Sequence, residues 1–166
     1  MTPKEFVSEF YPYAKEAEGE TGFSAIAVLA QGALESGWGK AIQGNMIFGI
    51  KSKNDGEGQL ITTTEYSQKS DLKFPVIISI TPVVRNGKNY FKYIVKDWFR
   101  KYDTPKECFV DHVQFFLTNP RYADAVKVRG DYNRFFEEIS RAGYATDPEY
   151  ANTLKAVAKT VIKNMP

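Results

Sequence analysis

The sequence predicts a mainly helical α+β domain with a small β lobe at about residues 57–100. Three observations support this fold class. Helix start signals, in which a capping side chain precedes a proline, recur along the chain. A nearly continuous apolar run between Ser24 and Ser36 indicates a central helix that is buried on most sides. Segments rich in strand-forming residues are confined to the middle of the chain.

The helix start signals combine two kinds of residue. A threonine or aspartate side chain can accept a hydrogen bond from a backbone N–H of the first helical turn. A proline can follow it, because its missing N–H would have no hydrogen-bond partner in that turn. Three such pairs are present, at Thr2-Pro3, Thr104-Pro105 and Asp147-Pro148. Glu5 and Glu107 follow the two threonines at the spacing of a capping box. Each pair therefore predicts the start of a helix.

Two shorter helices are predicted between the last two of these starts. One lies near residues 121–126, and the other spans about residues 131–142. Gly143 follows the second, and a glycine is the residue that most readily ends a helix in a left-handed conformation. With the central helix, the predicted number of helices reaches about six.

The β lobe is predicted from three stretches rich in branched and aromatic residues, LITTTEY, FPVIISITPVV and NYFKYIVKDWF. Asn86-Gly87 joins the last two and is typical of a type I′ hairpin. Pro82 cannot donate a ladder hydrogen bond, so its strand is expected at a sheet edge or at a bulge. Because no repeat or linker is apparent, residues 1–166 are predicted to form a single domain.

Composition excludes several function classes. The chain has 166 residues, with 22 Lys and Arg interspersed among 20 Asp and Glu, so nucleic acid is not an expected partner. The longest apolar runs are too short for a membrane span, and the N-terminus does not resemble a signal peptide. Cys108 is the only cysteine and His112 the only histidine. An intramolecular disulfide and a His/Cys zinc cluster are therefore excluded, although carboxylate-bound calcium is not.

Glu35 is the strongest candidate for a chemical role. It closes an otherwise apolar helix and is followed at once by Ser36-Gly37-Trp38-Gly39. A carboxyl beside apolar surface and an indole loses hydration in its charged form, so its pKa is expected to rise. The negative end of the helix dipole acts in the same direction. The alternative is a glutamate at the exposed end of an amphipathic helix, and this short motif does not decide between them.

A longer string around Glu35 resembles a known family. The sequence AQGALESGWGKAIQGNMIFGIK, residues 30–51, is similar to the signature of the glucosaminidase family, glycoside hydrolase family 73. This family is described as mannosyl-glycoprotein endo-beta-N-acetylglucosaminidase-like and includes flagellar and autolysin-type peptidoglycan hydrolase domains. The blocks FRKYDT (99–104) and AGYATDPEYANTLK (142–155) agree in order. The resemblance implies a lysozyme-like fold, no cofactor, and cleavage of peptidoglycan after N-acetylglucosamine with Glu35 as general acid.

A second catalytic group is expected, because glycoside hydrolysis usually needs two carboxylates. Glu65 resembles the glutamate of the T-x-E-Y block of the family, which makes it the candidate base. About twenty residues separate the T-x-E-Y block from the strand that precedes FRKYDT. A second alignment is therefore possible, and it places Val83 at the position of the glutamate. Glu57, Asp71 and Asp97 are reserve candidates. The acetamido group of the substrate is a further alternative to a second carboxylate.

The resemblance also implies a set of residues that contact the glycan. These candidate substrate-binding residues are Trp38, Asn45, Phe48, Tyr122 and Tyr144. Met46 departs from the asparagine usual in its block, so local sugar contacts are expected to differ. Asp147 is interpreted as a helix cap, His112 as structural and Cys108 as a small buried side chain.

Two other functions are alternatives to this one. A lytic transglycosylase also uses one glutamate in an E-S-G motif, but it forms an anhydro sugar instead of adding water. A wall-binding or assembly component of a phage or secretion apparatus would keep the fold without turnover. The expected partner is the glycan strand of peptidoglycan. The protein is expected to act on it outside the cytoplasm and as a monomer. Retention or inversion, biological role, cross-link preference and export route are left open.

Overall fold

The structure is a computed structural model that describes residues 1–53 and 57–166. Its helices and strands, in chain order, are α1 (Pro3–Thr21), α2 (Ala25–Ser36), β1 (Gln59–Ser67), β2 (Val76–Arg85), β3 (Lys88–Phe99), α3 (Pro105–Thr118), α4 (Ala123–Lys127), α5 (Tyr132–Arg141) and α6 (Tyr150–Lys163). A single 3₁₀ turn, Pro120–Tyr122, precedes α4. The predicted α+β class with a central β segment is confirmed.

The described residues form two compact units. The helical unit consists of residues 1–48 and 102–166, and the β unit consists of residues 49–101. The β unit begins at residue 49, whereas the lobe is predicted to begin at about residue 57. The single-domain organisation of the chain stays a prediction.

The first two predicted helix starts are confirmed with different cap details. At Thr2 the capping box is complete, since its hydroxyl accepts from the Glu5 N–H at 3.2 Å and the Glu5 carboxylate accepts from the Thr2 N–H at 2.7 Å. At Thr104 the hydroxyl accepts from the Glu107 N–H at 3.3 Å. The Glu107 carboxylate accepts instead from the N–H of Asp103. Both helices begin at the proline that follows the threonine.

The predicted helix start at Asp147 is wrong by two residues. Helix α6 begins at Tyr150, and its N-cap is Glu149, which makes no side-chain cap bond. The Asp147 carboxylate accepts from the Glu149 N–H at 2.9 Å, and its carbonyl accepts from the Tyr150 N–H at 3.1 Å. Asp147 therefore closes a separate turn before the helix, which is the other common use of an aspartate before proline.

Helix α2 is the centre of the helical unit, as predicted. Ser24 caps its N-terminus, and nine of its 12 residues are buried. It packs against α1 and α6. Two of its buried residues are polar, Gln31 and Ser36, and both lie within one turn of Glu35. Burial of polar groups requires hydrogen bonds, so these two side chains have consequences for the site.

Gly32 marks the tightest approach to α2. A Cβ at this position would lie 2.9 Å from Cγ2 of Ile47 and 3.6 Å from the ring of Phe48. Ile47 is 2% exposed and has little room to move. Gly32→Ala is therefore expected to lower the free energy of unfolding by about 1 to 3 kcal/mol through overpacking. Urea unfolding followed by circular dichroism measures this change.

Gly19 supplies the matched control for this prediction. It also lies in a helix, α1, but a Cβ there would meet nothing within 4 Å. Gly19→Ala is expected to raise the free energy of unfolding by up to about 1 kcal/mol, because alanine is the better helix former. If the two substitutions change stability by the same amount and sign, close packing at Gly32 is not the cause.

The β unit contains a three-stranded antiparallel sheet in the order β1-β3-β2. Asn86 and Gly87 have positive φ angles of 51° and 73°, as the predicted hairpin turn requires. Pro82 lies on β2, which among the described residues pairs with β3 alone, and the same strand has a register shift between Ile77 and Ser79. The predicted hairpin and the edge position of Pro82 are both confirmed.

The sheet has one face that is more buried than the other. Along β1 the less exposed residues alternate, and they include Ile61, Thr63 and Glu65. Glu65 lies directly opposite Tyr93 of β3, whose side chain is fully buried. Residues directly opposite each other in an antiparallel pair share a face. Glu65 therefore lies on the buried face of the sheet and not on its exposed face.

Candidate active site

Glu35 lies at the C-terminal end of α2. It is the penultimate residue of the helix, and Gly37 follows as the C-cap with a left-handed backbone, φ 58° and ψ 50°. The N–H of Trp38 donates to the carbonyl of Ala33 at 2.8 Å, which satisfies one of the carbonyls left over at a helix end. The chain turns away directly after the glutamate, so the Glu35 side chain stands at the helix terminus.

Ser36 fixes the turn that follows Glu35. Its side chain is buried, and its hydroxyl donates to the carbonyl of Gly32 at 2.6 Å. The same hydroxyl accepts from the N–H of Gly39 at 2.9 Å. One side chain therefore ties the turn to the preceding turn of α2. This role was not predicted from the sequence, where the only signal is a serine between the glutamate and a glycine.

The environment of Glu35 favours its protonated form. The residue reaches solvent, yet the protein atoms around its carboxyl remove hydration and raise its pKa. Within residues 1–53 and 57–166, no basic group forms an ion pair with it. The rise in pKa predicted from the sequence is therefore reproduced, and its cause is desolvation.

Trp38 follows Glu35 in the turn but uses part of its surface for packing. Its φ is 58°, an unusual value for a bulky residue. The indole is half-buried and packs edge-on against Phe6 of α1, with ring centroids 5.7 Å apart. Its predicted role in stacking on a sugar stays a prediction.

Tyr144 belongs to the same site as Glu35. Its ring packs against Tyr150 at 5.7 Å and against Phe116 at 5.5 Å between centroids. Burial raises the pKa of Tyr144, and the charges of Tyr150 and Glu35 add to this rise. The Tyr144 hydroxyl therefore lies within electrostatic range of the Glu35 carboxyl. The structure brings together these two residues, which were predicted from blocks more than a hundred residues apart.

Arg121 holds the turn that presents Tyr144. Its guanidinium donates to the carbonyls of Ala142 and Gly143, with the second contact at 3.0 Å. Gly143 has a φ of +80°, and a Cβ there would lie 2.5 Å from the Arg121 guanidinium. The positive φ favours glycine at this position, and a Cβ there would also displace the end of the Arg121 side chain. The sequence predicted the glycine as a helix end but gave no signal for the arginine.

Tyr122 lies beneath this turn and is 3% exposed. Its ring packs against Phe116 at 5.2 Å and against Tyr144 at 6.1 Å. Tyr122 therefore supports Tyr144 from inside the helical unit. Its predicted contact with the glycan stays a prediction, to which this burial gives no support.

Asn45 ties a loop to the chain before α3. Its side-chain amide donates to the carbonyls of Tyr102 at 2.9 Å and Asp103 at 3.1 Å. Its φ of 55° is one that asparagine tolerates better than most residues. Asn45 thus has a clear structural role, and its predicted sugar contact stays a prediction.

Phe48 packs against the only histidine of the chain. Its ring stacks on His112 with centroids 3.7 Å apart and 5° between planes, and it meets Phe109 edge-on. His112 is buried, and burial lowers its pKa to about 3, so it is neutral near pH 7. The structural interpretation of His112 agrees with this environment. The predicted glycan contact of Phe48 stays a prediction.

Cys108 has no exposed surface. Its sulfur accepts a hydrogen bond from the N–H of Ile47 at 3.4 Å, and burial raises the pKa of the thiol to about 11. The thiol is therefore protonated at neutral pH, in agreement with the predicted small buried side chain. Met46, the residue that departs from the family block, is also buried.

Glu65 is part of a charged cluster within the β unit. The ammonium of Lys51 lies 3.2 Å from the Glu65 carboxylate and 2.7 Å from that of Asp97. The same ammonium lies over the ring of Phe99, 4.4 Å from its centroid. Lys51 thus holds two of the candidate second carboxylates on one face of the sheet. Its position at the end of the FGIK block was the only sequence signal.

In the described ranges, no group of three or more His, Cys, Asp or Glu side chains is arranged to hold a metal ion. No helix of the described chain has both the length and the apolar character needed to cross a bilayer.

Comparison with known proteins gives a match over most of the chain. The family model for glucosaminidase, described as mannosyl-glycoprotein endo-beta-N-acetylglucosaminidase, matches residues 11–163. The chain is 33% identical over 166 residues to the peptidoglycan hydrolase FlgJ of Vibrio parahaemolyticus, covering 96% of this chain and 48% of that protein. It is 30% identical over 138 residues to the exo-glucosaminidase LytG of Bacillus subtilis, covering 79% of this chain and 42% of that protein.

A solved structure resembles the whole chain. The glycoside hydrolase domain of FlgJ from Salmonella typhimurium has a TM-score of 0.71 and 28% identity, with 98% of this chain and 90% of that chain covered. This likeness supports the predicted lysozyme-like helical fold with a small sheet. The chain spans about half the length of the curated relatives that it matches, as the share of 48% for the Vibrio protein shows.

Proposed function

The chain belongs to the glucosaminidase family of glycoside hydrolases, and from this premise we propose that it hydrolyses peptidoglycan. The bond proposed is the β-1,4 linkage that follows N-acetylglucosamine, cleaved within the glycan strand. Glu35 is the general acid. The substrate class is suggested by the names of the relatives, several of which are called peptidoglycan hydrolases. Action on this polymer takes place outside the cytoplasm, in the periplasm or cell wall, by a monomer.

The environment of Glu35 carries the proposal. A general acid must hold its proton at the pH of the reaction, and an ordinary glutamate has lost it near neutrality. Desolvation raises the pKa of Glu35 while its residue still reaches solvent. A carboxyl whose protonated form is favoured and that remains accessible can donate to the glycosidic oxygen as the bond to the sugar breaks.

Tyr144 is proposed to bind the sugar beside the acid. Its ring packs against the buried rings of Phe116 and Tyr122. The guanidinium of Arg121 donates a hydrogen bond to the turn before it. A side chain with so many contacts has few alternative positions. Such rigidity is useful for catalysis, because it holds the reacting bond in place against the acid.

Glu65 is proposed as the second catalytic group, which activates or positions water. Two observations within the β unit support this choice. Glu65 lies on the buried face of the sheet, which it shares with Tyr93. Ile80 of β2 is also opposite Tyr93, so Val83, three residues further along β2, lies on the other face. Val83 is the residue that the alternative alignment places at this position. Lys51 also contacts the Glu65 carboxylate at 3.2 Å, which holds this side chain on that face of the sheet.

Product analysis tests the proposed reaction. Purified peptidoglycan is digested with the protein, and the released fragments are analysed by mass spectrometry after reduction with borohydride. Hydrolysis is expected to give reducible ends at N-acetylglucosamine, in fragments of more than one length. Anhydro products, lighter by one water, would identify a lytic transglycosylase instead. Release of single sugars from chain ends would indicate exo action, as in the name of LytG.

Glu65→Gln tests the second group. If Glu65 is the base, this substitution is expected to lower the hydrolysis rate by a factor of about 10² to 10⁴ while the fold is kept. The rate is measured by release of reducing ends from peptidoglycan. Asp97→Asn is the matched variant, because it removes the other carboxylate that contacts Lys51.

The two variants separate three outcomes. A large loss in Glu65→Gln with a small loss in Asp97→Asn supports the proposal. The reverse would assign the role to Asp97. Full activity in both variants would leave the acetamido group of the substrate as the nucleophile and would remove Glu65 from the mechanism.

A further inference from the structure

A buried polar pair lies next to the proposed acid. Across the described ranges, three buried side chains carry a nitrogen or oxygen atom without a hydrogen-bond partner: Gln31 through Nε2, Tyr150 through its hydroxyl, and Ser140 through Oγ. Unpaired buried polar atoms are rare in folded proteins, and each calls for a physical explanation. The first two are neighbours, because the Gln31 amide acts on the pKa of the Tyr150 hydroxyl, although their geometry falls short of a hydrogen bond.

His112 fixes the orientation of the Gln31 amide. Gln31 is fully buried, and its Oε1 lies 2.9 Å from Nε2 of His112. Because His112 is neutral near pH 7, one ring nitrogen carries the proton, and Nε2–H donates to this oxygen. The Gln31 –NH₂ group is then directed away from His112. It can donate to the Tyr150 oxygen and leave the Tyr150 hydroxyl proton for another acceptor.

Glu35 is the charged group that acts on the Tyr150 hydroxyl. Gln31 and Glu35 are four residues apart on α2, so they lie on the same side of the helix. Helix α6, which begins at Tyr150, packs against α2. The Tyr150 ring also packs on Tyr144, 5.7 Å between centroids, and the charge of Glu35 acts on the hydroxyls of both tyrosines.

We propose that Tyr150, oriented by Gln31 and His112, donates a hydrogen bond to the Glu35 carboxylate that forms when the acid gives up its proton. Tyr150 is thus a positioning residue for the proposed reaction, and the inference rests on Glu35 being the acid. No proton leaves Tyr150, which stays neutral because burial raises its pKa to about 12. The hydrogen bond stabilises the charge that develops on Glu35 during proton transfer, in a site where water is partly excluded.

The other groups around Glu35 are consistent with this role. Tyr144, from the turn before α6, and Tyr150 are the titratable groups whose hydroxyls respond to its charge. His112, on α3, is held neutral. No ammonium, guanidinium or second carboxylate in the described residues shifts the pKa of Glu35. A hydroxyl donor is therefore the available means of stabilising its carboxylate.

Tyr150→Phe tests the inference because it removes one oxygen and keeps the ring. The expected result is a kcat about 10-fold lower, which corresponds to one hydrogen bond to a charged group. The basic limb of the pH profile of kcat/KM is expected to move up by about 1 unit, because loss of a donor to the carboxylate raises the pKa of Glu35. The unfolding temperature is expected to stay the same or rise, since an unpaired buried oxygen is lost.

Two measurements separate positioning from packing. Titration of the Glu35 carboxyl by carbon NMR, without substrate, is expected to give a higher pKa in Tyr150→Phe than in the wild type. Tyr132→Phe is the matched control: its ring packs on Phe136 of the same helix, α5, and both readouts are expected to stay at wild-type values. Wild-type kcat and an unmoved pKa in Tyr150→Phe would overturn the inference.

Gln31→Met keeps the inference testable if Tyr150→Phe does not fold. Methionine has a similar volume but lacks the amide that orients Tyr150, so a comparable fall in kcat is expected. The double variant is expected to be no worse than either single variant, because both act through one hydrogen bond. Additive losses would show that Gln31 does not act through Tyr150.

The failure of this inference is distinguishable from that of the proposed function. If Glu35→Gln keeps full activity, Glu35 is not the acid, and both the proposed function and the inference fall. If Glu35→Gln is inactive while Tyr150→Phe is indistinguishable from the wild type, only the inference falls.

Discussion

Replacing Glu35 with glutamine is expected to lower the rate of peptidoglycan hydrolysis by a factor of about 10² to 10⁴. Glutamine has nearly the same shape as glutamic acid but no proton that it can give to the glycosidic oxygen. Desolvation raises the pKa of Glu35, so its surroundings disfavour the charged carboxylate more than a neutral side chain. The substitution should therefore leave the fold intact, and its effect should fall on kcat more than on KM.

The control for this prediction is Glu9→Gln, which removes an exposed carboxylate from α1. It is expected to retain wild-type activity in the same reducing-end assay. Equal unfolding midpoints for the wild type and both variants would show that the loss is chemical. Undiminished activity of Glu35→Gln would contradict the assignment of the acid.

The pH profile gives a second view of the same residue. A general acid works only while protonated, so activity is expected to fall as the pH rises through the pKa of Glu35. Because desolvation raises this pKa above the ordinary glutamate value, the fall is expected at a higher pH than for an exposed glutamate. A basic limb at or below the ordinary value would show that another group controls the decline.

Phe116→Ala is expected to cause the largest loss of stability, about 3 to 5 kcal/mol of the free energy of unfolding. Phe116 is 1% exposed and lies at the centre of an aromatic cluster. Its ring meets Phe135, Tyr122 and His112 at centroid distances of 5.2 Å, and Tyr144 at 5.5 Å. Activity is expected to fall as well, because Tyr144 loses a ring that supports it. Urea unfolding and the reducing-end assay measure the two effects.

The neighbouring Phe115 provides the comparison. It also meets Tyr122 and Tyr144, but it is 45% exposed. Phe115→Ala is expected to lower the free energy of unfolding by only about 1 kcal/mol. If both alanine variants lose a similar free energy of unfolding, burial of the ring contributes little to stability beyond its contacts with other rings.

Much of the fold was predictable because its signals are local. The caps at Thr2 and Ser24, the apolar run of α2 and the hairpin at Asn86 each depend on residues a few positions apart. Asp147 shows the limit of such signals. An aspartate before proline can cap a helix or close a turn, and the local sequence does not distinguish the two.

The candidate site was predictable only in part, because its supporting contacts join distant segments. Glu35 and Tyr144 were found through blocks of family resemblance. Gln31 contacts His112, 81 residues away in sequence, and Arg121 contacts the turn before Tyr144. Neither residue lies in a pattern with a period or spacing that indicates its role. Side chains that position others therefore emerge only from the tertiary structure.

The open edge of the sheet has a consequence for how the protein behaves at high concentration. Strand β2 exposes several large apolar residues, among them Ile77, Ile78, Ile80 and Val84, a composition that promotes sheet-to-sheet aggregation. Pro82 interrupts its row of N–H donors, and the register shift after Ile77 breaks its straight outline. These two irregularities are expected to hinder the pairing of a second molecule with the strand. Pro82 is therefore expected to lower the tendency of this edge to aggregate.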